Sequence, residues 1–416
     1  MNATTNADDW RESTWGEEIS LEYGKALRGY DPEHGKYRVY GSNGPIGWHS
    51  KYLTTGPAVI LGRKGAYRGV EFCRDPFWVI DTAYYVVPKT ELDARWLYYA
   101  IKHHKLGDID DGSPIPSTTR AAVYVKEVRV PPLREQQAIA CILGALDDKI
   151  ELNRRRNRTL EAMARAIFQS WFVDFDPVKA KAAGKKPPGL SPALAALFPD
   201  RFEDSPLGPI PAGWRMGSFT DEVEVIGGGT PKTSIAEYWG GNIPWFSVAD
   251  TPASGEIFVI DTQKRITEKG LDNCSSILLP VGAVIISARG TVGNLALVGV
   301  PMAMNQSCYA VRHIRSKNGY YLYYRTSSVV EVLRQRSHGS VFSTITRDTL
   351  RGVNVLIPSQ HVVCEYERVV HPILQKIKLS LNQSRTLAAL RDALLPKLIS
   401  GELRVPDAER IVGRAT

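Results

Sequence analysis

The chain carries the same sequence pattern twice, and this repeat limits the folds it can adopt more than any other feature. The segment IELN at 150–153 returns as IKLS at 377–380, and the triplet RTL at 158–160 returns unchanged at 385–387. Positions 150 and 377 differ by 227, as do positions 158 and 385. Repeats that stack into solenoids are only about 20–50 residues long. A period of 227 in 416 residues therefore predicts two copies of one module, each a globular region followed by a helix.

The repeat extends upstream of the helices, with an offset that drifts. Polar residues of one loop match at the same offset of 227, with Ser117, Thr119 and Arg120 lying over Thr344, Thr346 and Arg347. The run GPAVILGR at 56–63 lies over GAVIISAR at 282–289 at an offset of 226, which pairs Arg63 with Arg289. Tyr85 lies over Tyr309 at an offset of 224. Small loop insertions would produce such drift, so the ordered matches predict a tandem duplication.

Each globular region is followed by a long amphipathic helix, the first predicted from Glu135 to Trp171. Its apolar residues alternate steps of four and three, the pattern of a heptad seam. The first seam consists of Ile139, Leu143, Leu146, Ile150, Asn153, Asn157, Leu160, Ala164, Ile167 and Trp171. The second, shifted by 227, consists of Tyr366, Val370, Ile373, Ile377, Ser380, Ser384, Leu387, Arg391, Leu394 and Leu398.

Both seams carry polar residues at the same height, Asn153 and Asn157 in one and Ser380 and Ser384 in the other. Polar seam residues fix the register of paired helices. The simplest arrangement therefore pairs the two helices with each other, antiparallel, so that the polar layers meet. The alternative is that each helix packs on its own globular region. Pro372 is predicted to kink the second helix or to mark its true start.

The composition is typical of a soluble globular protein, with 43% hydrophobic and 23% charged residues. No apolar run approaches the roughly 20 residues that cross a bilayer, and the polar, acidic N-terminus predicts no secretory signal. The five scattered cysteines show no metal-binding spacing and are expected to be free thiols in a reducing cytoplasm. A formal net charge of +8 fits an anionic partner such as nucleic acid.

Several segments resemble one known family. The stretch PLREQQAIACILGALDDKIELNRRRNRTLEAMARAIFQSWFVDFDPV at 132–178 is similar to the central helical region of the specificity (S) subunit of type I restriction–modification systems. Three segments resemble one common type of first target-recognition domain in this family: YGSNGPIGW at 40–48, GPAVILGRKG at 56–65 and DTAYYV at 81–86. The second is resembled by GGGTPKT at 227–233, NIPWFSVAD at 242–250, SARGTVGN at 287–294 and MNQSCYA at 304–310. KLISGELRV at 397–405 is similar to the family's usual C-terminal ending, so the resemblance covers nearly the whole chain.

The resemblance implies a non-catalytic, cytoplasmic DNA-recognition subunit. Each target-recognition domain would bind one half of a bipartite sequence in double-stranded DNA. The helices would set the gap between the halves and dock methylation subunits, two per chain. No cofactor is expected in this chain. The methylation subunits would use S-adenosylmethionine to methylate adenine, and restriction subunits would use ATP and Mg²⁺ to cleave unmodified DNA.

The implied fold is α+β, with two similar α/β target-recognition domains in tandem and two long helices that pair as an antiparallel coiled-coil spacer. The predicted segments are a first target-recognition domain at 1–132, a first spacer helix at 133–178, a basic, proline-rich linker at 179–207, a second target-recognition domain at 208–358, a second spacer helix at 359–405 and a C-terminal tail at 406–416. The first helix, from Glu135 to Trp171, would be roughly 55 Å long. A helix of that length could hold the two domains on grooves about one DNA turn apart, which is roughly 34–36 Å.

Recognition of a base needs a side chain that makes two hydrogen bonds to its edge, as Arg does with guanine and Asn or Gln does with adenine. In the first copy the DNA-binding candidates are Ser42, Asn43, Arg63, Lys64, Tyr67, Arg68, Thr118, Thr119 and Arg120. In the second copy they are Lys232, Arg289, Thr291, Asn294, Asn305, Gln306, Ser343, Thr344 and Arg347. Arg63 and Arg289 are predicted to hold one repeat position, and Arg120 and Arg347 another. A solvated or salt-bridged surface arginine is the alternative for each.

Two other functions stay open from the sequence. A stand-alone DNA-modifying enzyme would need a cofactor or metal site, and the sequence offers none with the required spacing. A helical scaffold without DNA recognition would show no salt-dependent affinity for DNA. A protein that contacts several phosphates binds DNA much more weakly as salt rises.

Overall fold

The computed structural model describes residues 10–110, 112, 115–206, 208–314, 319–336 and 344–415, without the side chains of Arg414 and Ala415. The chain divides into two compact units. Unit 1 comprises residues 1–150 and 385–416, and unit 2 comprises residues 151–384. Within the described ranges, no helix is both long enough and apolar enough to cross a membrane.

The helices, in chain order, are α1 (Trp15–Glu18), α2 (Ala94–His103), α3 (Arg120–Tyr124), α4 (Leu133–Phe172), α5 (Asp176–Ala182), α6 (Pro192–Ala195), α7 (Glu268–Asp272), α8 (Tyr320–Arg336), α9 (Arg347–Arg351), α10 (Gln360–Ser400) and α11 (Val405–Ala415). Single turns of 3-10 helix lie at Leu106–Asp108, Phe219–Asp221, Ala236–Tyr238 and Val248–Asp250. The long helices α4 and α10 each follow a globular region, as the sequence predicts.

Unit 1 is built on an antiparallel four-stranded sheet of order β2-β8-β5-β6. The strands of unit 1 are β1 (Arg11–Thr14), β2 (Ile19–Tyr23), β3 (Tyr37–Gly41), β4 (Gly44–His49), β5 (Ala58–Gly62), β6 (Val70–Cys73), β7 (Phe77–Val79), β8 (Ala83–Pro88) and β9 (Glu127–Val130). The apolar strand β5 lies inside the sheet, where Val59, Ile60 and Leu61 are buried. A smaller sheet has the order β4-β3-β7, and β1 pairs with β9.

Unit 2 repeats this topology around a sheet of order β13-β20-β17-β18-β15. Its strands are β10 (Phe202–Glu203), β11 (Ile210–Pro211), β12 (Arg215–Ser218), β13 (Val223–Gly227), β14 (Trp239–Phe246), β15 (Phe258–Val259), β16 (Lys264–Ile266), β17 (Val284–Ser287), β18 (Leu295–Val298), β19 (Ala303–Met304), β20 (Cys308–His313) and β21 (Asn354–Ile357). The smaller sheet β16-β14-β19 corresponds to β4-β3-β7, because β14 pairs with β19 in parallel as β3 does with β7. The pair β12-β21 corresponds to β1-β9. The duplication is therefore a duplication of fold.

The hydrogen-bond register corrects two of the predicted equivalences. The two N–H groups that follow Gly62 donate to the carbonyl of Thr82, and the two that follow Ser287 donate to the carbonyl of Ser307, so Gly62 and Ser287 hold one position. One residue earlier, Leu61 pairs with Tyr84 and Ile286 pairs with Tyr309. Tyr309 is therefore the counterpart of Tyr84, and its predicted match with Tyr85 is wrong by one residue.

The same slip affects the arginines at the ends of these strands. The N–H of Thr118 donates to the carbonyl of Arg63, and the N–H of Ile345 donates to the carbonyl of Ala288, both at 2.9 Å. Arg63 thus corresponds to Ala288, so its predicted equivalence with Arg289 is wrong. The counterpart of Arg289 is Lys64, the residue that follows.

The predicted seams of α4 and α10 face protein. In α4 every seam residue is buried except Leu160 and Ile167, which are half-buried. In unit 1 the Arg391 guanidinium of α10 donates to the Asp147 carboxylate of α4 at 2.6 Å. In unit 2 the Tyr366 hydroxyl donates to the carbonyl of Ala164 at 3.1 Å. In unit 2, Asn153 contacts Ser384 whereas Ala164, further along α4, contacts Tyr366, which is earlier in α10. The antiparallel pairing is therefore confirmed, and the two helices do not pack separately.

Pro372 lies inside α10, which begins twelve residues earlier, at Gln360. The interpretation that this proline marks the start of the helix is wrong. Its side chain is exposed, so the ring faces solvent and displaces none of the seam residues.

The predicted linker and tail contain more structure than the sequence suggested. Helix α4 ends at Phe172, before the predicted boundary at 178. In the segment after it, Val178 and Phe198 are buried in the core of unit 2, and the Phe198 ring lies 5.1 Å from that of Trp171. After α10, helix α11 packs Ala408 into the core of unit 1. Apolar residues spaced among basic ones anchor both segments.

The polar layer predicted in the helices is a hydrogen-bonded cluster within unit 2. Asn153 is fully buried, and its amide donates to Gln383 Oε1 at 3.0 Å and to Ser384 Oγ at 3.1 Å. The Arg156 guanidinium donates to Asn153 Oδ1 at 3.0 Å and to Ser380 Oγ at 2.7 Å. These bonds are made only in one alignment of the helices, so the layer fixes their register.

Replacing Asn153 by alanine is expected to lower the free energy of unfolding by about 1–3 kcal/mol, because buried partners lose their hydrogen bonds. Asn157→Ala is the matched control. Asn157 is also buried, but its side-chain oxygen has no hydrogen-bond partner within the described ranges, so its removal should cost less. Urea unfolding of the full chain measures both. Equal losses would contradict the role given to the Asn153 bonds.

Candidate nucleic-acid interface

One end of the central sheet of unit 1 brings several candidate residues together. At this end β2 and β5 stop and β8 begins. The N–H groups of Arg63 and Lys64 donate to the carbonyl of Thr82 at 2.9 and 3.2 Å, and Lys64 forms a β-bridge with Ser117. Gly65, at a φ of +106° with open space beside it, then turns the chain. We call the residues Tyr23, Arg63, Lys64, Ser117 and Arg120 the first sheet-end surface.

Helix α3 places Arg120 on this surface. Thr119 caps the helix by accepting a hydrogen bond from the N–H of Ala122 at 3.3 Å, and Arg120 is the first helical residue. Its Nε donates to the carbonyl of Leu21 at 2.6 Å. The cap thereby fixes where the arginine leaves the backbone.

Unit 2 builds the equivalent surface. The N–H groups of Ala288 and Arg289 donate to the carbonyl of Ser307 at 2.8 and 3.2 Å, and Arg289 forms a β-bridge with Thr344. Thr346 caps α9, whose first residue is Arg347. The second sheet-end surface consists of Gly227, Arg289, Thr344 and Arg347. The predicted equivalence of Arg120 with Arg347 is confirmed, since each begins a short helix capped by threonine.

Two arginines lie against one tyrosine on the first sheet-end surface. The guanidinium carbon of Arg63 is 4.8 Å from the centre of the Tyr23 ring, and that of Arg120 is 4.3 Å from it. Arg63 also donates to the carbonyl of Asp81 at 2.9 Å. Burial raises the pKa of the neighbouring Tyr84 to about 12, so this hydroxyl stays neutral and the local charge is positive.

Two candidates of the first copy bond to backbone carbonyls of their own unit. Thr118 is fully buried, and its hydroxyl donates to the carbonyls of Gly107 and Ile109 at 3.3 and 3.1 Å. Arg68 donates to the carbonyls of Gly65 and Gly107 at 2.6 and 2.7 Å. These donors are engaged with backbone carbonyls, so the geometry gives both residues a structural role, and their contact with DNA stays a prediction.

The remaining candidates of the first copy face solvent to different degrees. Ser42 is half-buried, and its hydroxyl donates to the carbonyl of Lys64, which places the turn between β3 and β4 beside the first sheet-end surface. Asn43, Lys64 and Tyr67 are exposed, and Tyr67 retains 78% of its accessible area. These side chains can reach a ligand without rearrangement.

The candidates of the second copy divide in the same way. The exposed ones are Lys232, Arg289, Thr291, Gln306 and Arg347, and the half-buried ones are Asn294, Asn305 and Thr344. Asn305 Oδ1 accepts from the N–H of Ser307 at 3.1 Å, which uses one of its base-pairing groups. Lys232 lies on another loop, where its carbonyl accepts from the Trp239 indole at 3.3 Å. Ser343 lies outside the described residues.

Sequence reasoning missed Tyr23, the residue that both arginines contact. Its position in the second copy is Gly227, because Tyr23 pairs with Tyr84 and Gly227 pairs with Tyr309. A search for matches between the copies therefore passes over it. The only available signal was an aromatic residue at the end of a strand in a basic protein.

Replacing Arg68 by alanine is expected to lower the free energy of unfolding by about 1.5–3 kcal/mol, the usual range for hydrogen bonds from a charged group. Lys64→Ala is the matched control. Lys64 is exposed, so stability should change by less than about 0.5 kcal/mol while DNA affinity falls. Urea unfolding and duplex binding separate the two roles. Unchanged stability of the Arg68 variant would show that its carbonyl contacts do not hold the loop.

Comparison with known proteins identifies the family. The model of the type I restriction modification DNA specificity domain matches the chain twice, at residues 8–162 and 211–366. The chain belongs to this family. Its function is DNA sequence specificity within a restriction–modification complex, and it is a recognition subunit, not an enzyme.

Individual relatives agree with the family. The chain is 33% identical over 357 residues to the type I restriction enzyme MjaIX specificity subunit of Methanocaldococcus jannaschii, covering 84% of this chain and 78% of that relative. It is 28% identical over 330 residues to the HindI specificity subunit of Haemophilus influenzae, covering 69% and 71%. The crystal structure of the S subunit from M. genitalium has the same fold, with a TM-score of 0.57 at 17% identity over 96% of this chain and 97% of that one.

Proposed function

We propose that each globular domain binds one half of a bipartite DNA sequence through its sheet-end surface. The observation that carries this proposal is the duplication of a cationic surface at one place in the fold. Lys64 and Arg289 occupy equivalent positions, and each lies beside a helix that begins with an arginine. Cations next to capping hydroxyls are suited to phosphate oxygens, and forked side chains to base edges.

The helices set the gap between the two half-sequences and dock two methylation subunits, one for each repeat. The fixed register of the Asn153 layer supports a spacer of constant length. The relatives are named as specificity subunits of restriction enzymes, which supports methylation and restriction subunits as partners. Those partners would supply S-adenosylmethionine, ATP and Mg²⁺, and the complex would work in the cytoplasm. Within the described ranges, no group of His, Cys, Asp and Glu side chains could hold a metal ion.

Salt-dependent binding to duplex DNA tests the proposal. The full chain, in complex with its methylation subunits, is titrated with duplex at several salt concentrations. A protein that contacts six or more phosphates loses about 10³-fold or more in DNA affinity when the salt concentration rises from about 50 to about 200 mM. Affinity that is absent or insensitive to salt would favour the scaffold function. Binding of S-adenosylmethionine by the isolated chain would favour a stand-alone enzyme.

A further inference from the structure

The equivalent arginines Arg120 and Arg347 lie in different surroundings. Three of the groups that hold Arg120 or stand beside it are replaced in the second copy. Tyr23 corresponds to Gly227 and Glu22 to Ile226 by strand register, and Arg63 corresponds to Ala288. The second sheet-end surface thus has no counterpart of the Tyr23 ring, the Glu22 carboxylate or the Arg63 guanidinium.

The donors of Arg120 are partly occupied. Nε donates to the carbonyl of Leu21 at 2.6 Å, and Nη2 lies 3.5 Å from the Glu22 carboxylate. The guanidinium also lies 4.3 Å from the centre of the Tyr23 ring. A forked contact through Nε and Nη2 would require breaking both bonds. Arg120 can therefore still offer its positive charge to a ligand, and Arg63, which lies against the same Tyr23 ring, adds a second positive charge.

The donors of Arg347 are available. The side chain is exposed, and among the residues that the structure describes its guanidinium has no hydrogen-bond or ion-pair partner. A Cβ atom built on Gly227 would lie 3.8 Å from Nη2 of Arg347, and apart from the residues adjoining Gly227 no other described atom comes within 4 Å of it. The position from which a ring projects in the first copy is therefore uncrowded by the described residues, and this guanidinium lies beside it.

We propose that the two arginines have different tasks on DNA: Arg347 recognises a guanine of the second half-sequence, whereas Arg120 and Arg63, held on Tyr23, bind one backbone phosphate beside the first. This inference rests on the proposed function of the two surfaces. A guanidinium with free donors can fork onto O6 and N7 of guanine. Two cations fixed on one ring present charge to a phosphate oxygen, and phosphate contacts position the protein without carrying sequence information. Tyr23 acts as a positioning residue.

Modified-base sequencing of DNA from cells that express the full complex tests this division. Arg347→Ala should leave the first half-sequence intact and make one position of the second half degenerate, with methylation of the original motif reduced roughly 5- to 150-fold. Gly227→Tyr should relax the same position, because the new ring draws the guanidinium away from the base. This second variant adds a side chain at a position where a Cβ atom meets no close contact among the described residues, and it removes no side-chain contact.

Arg120→Lys and Tyr23→Ala form the matched pair in the first copy. Both should keep every base of the motif specified. Tyr23→Ala should weaken duplex binding to all sequences and lower the slope of log affinity against log salt by about one, the change expected for one phosphate contact. Tyr23→Phe keeps the ring and should bind as the unmutated complex does.

Different outcomes would contradict the division of tasks between the two arginines and the proposed DNA recognition itself. A normal motif in the unmutated complex, with every position still specified in Arg347→Ala, would overturn the inference alone. So would a first half-sequence that becomes degenerate in Arg120→Lys or Tyr23→Ala. An unmutated complex that binds no duplex and methylates no bipartite motif would overturn both.

Discussion

Replacing Arg325 by methionine is expected to lower the free energy of unfolding of unit 2 by about 3–5 kcal/mol, the usual cost of leaving a buried charge without its partner. Arg325 and Glu222 are both 7% exposed, and their charged groups approach to 3.7 Å. The guanidinium also donates to the Tyr321 hydroxyl at 2.8 Å and to the carbonyl of Leu356. Methionine fills similar volume, so the loss reflects the charge more than a cavity.

The loss should depend on pH. Burial raises the pKa of Glu222 although Arg325 draws it down, and in the unfolded chain a glutamate titrates near about 4.3. With the folded-state pKa raised, the stability linked to Glu222 is fully present below the unfolded value and is lost as the pH rises through the folded value. Without Arg325 the folded pKa rises further. The variant should therefore lose more stability at about pH 8 than at about pH 5.

Urea unfolding of the full chain at both pH values measures this effect. The control is Arg325→Met combined with Glu222→Gln, which removes both charges and should recover most of the stability at about pH 8. A single variant as stable as the unmutated chain, or a loss that is the same at both pH values, would show that Glu222 does not depend on Arg325.

Lengthening both long helices by one heptad is expected to lengthen the gap in the recognised DNA sequence. The division between the two compact units falls after Ile150 in α4 and after Ser384 in α10. Insertions at these two points preserve the contacts within each unit and keep the seam in phase. The added helix rises about 10 Å, the length of roughly three base pairs at about 3.4 Å each.

The expected motif keeps both half-sequences and gains about three unspecified base pairs, given the rises above. Methylation of the original motif should be lost. An insertion in α4 alone is the control. With α10 unchanged, the Asp147–Arg391 bond of unit 1 and the Asn153–Ser384 bond of unit 2 cannot both be kept, so this variant should lose stability as well. An unchanged gap with full methylation of the original motif would rule out the helices as the spacer.

The sequence predicted the fold well where one pattern repeats over many residues. The heptad seams located α4, α10 and the polar layer at Asn153, since a seam of ten positions leaves little freedom in its phase. The apolar runs before Arg63 and Arg289 allowed a slip of one residue. Such runs match almost equally well at neighbouring offsets, and the hydrogen bonds just after β5 and β17 decide between them.

The candidate surfaces were predicted only in part. Arg120 and Arg347 were found because both copies keep the Thr-Arg pair at a helix start. The bonds of Arg68 and Thr118 to backbone carbonyls could not be predicted, because a sequence does not show whether a polar side chain meets solvent or a carbonyl of its own chain. Tyr23 could not be found by comparing the copies, since a glycine stands at its counterpart.

Modified-base sequencing of a genome from cells that express this chain with its methylation subunits tests the central claim most directly. We expect methyl-adenine at a single bipartite motif with a fixed gap. Lys64→Ala should weaken methylation through the first half-sequence and Arg289→Ala through the second. Methylation at a continuous motif, or none despite a stable complex that contains the chain, would contradict the claim that two surfaces of this chain each recognise half of the target.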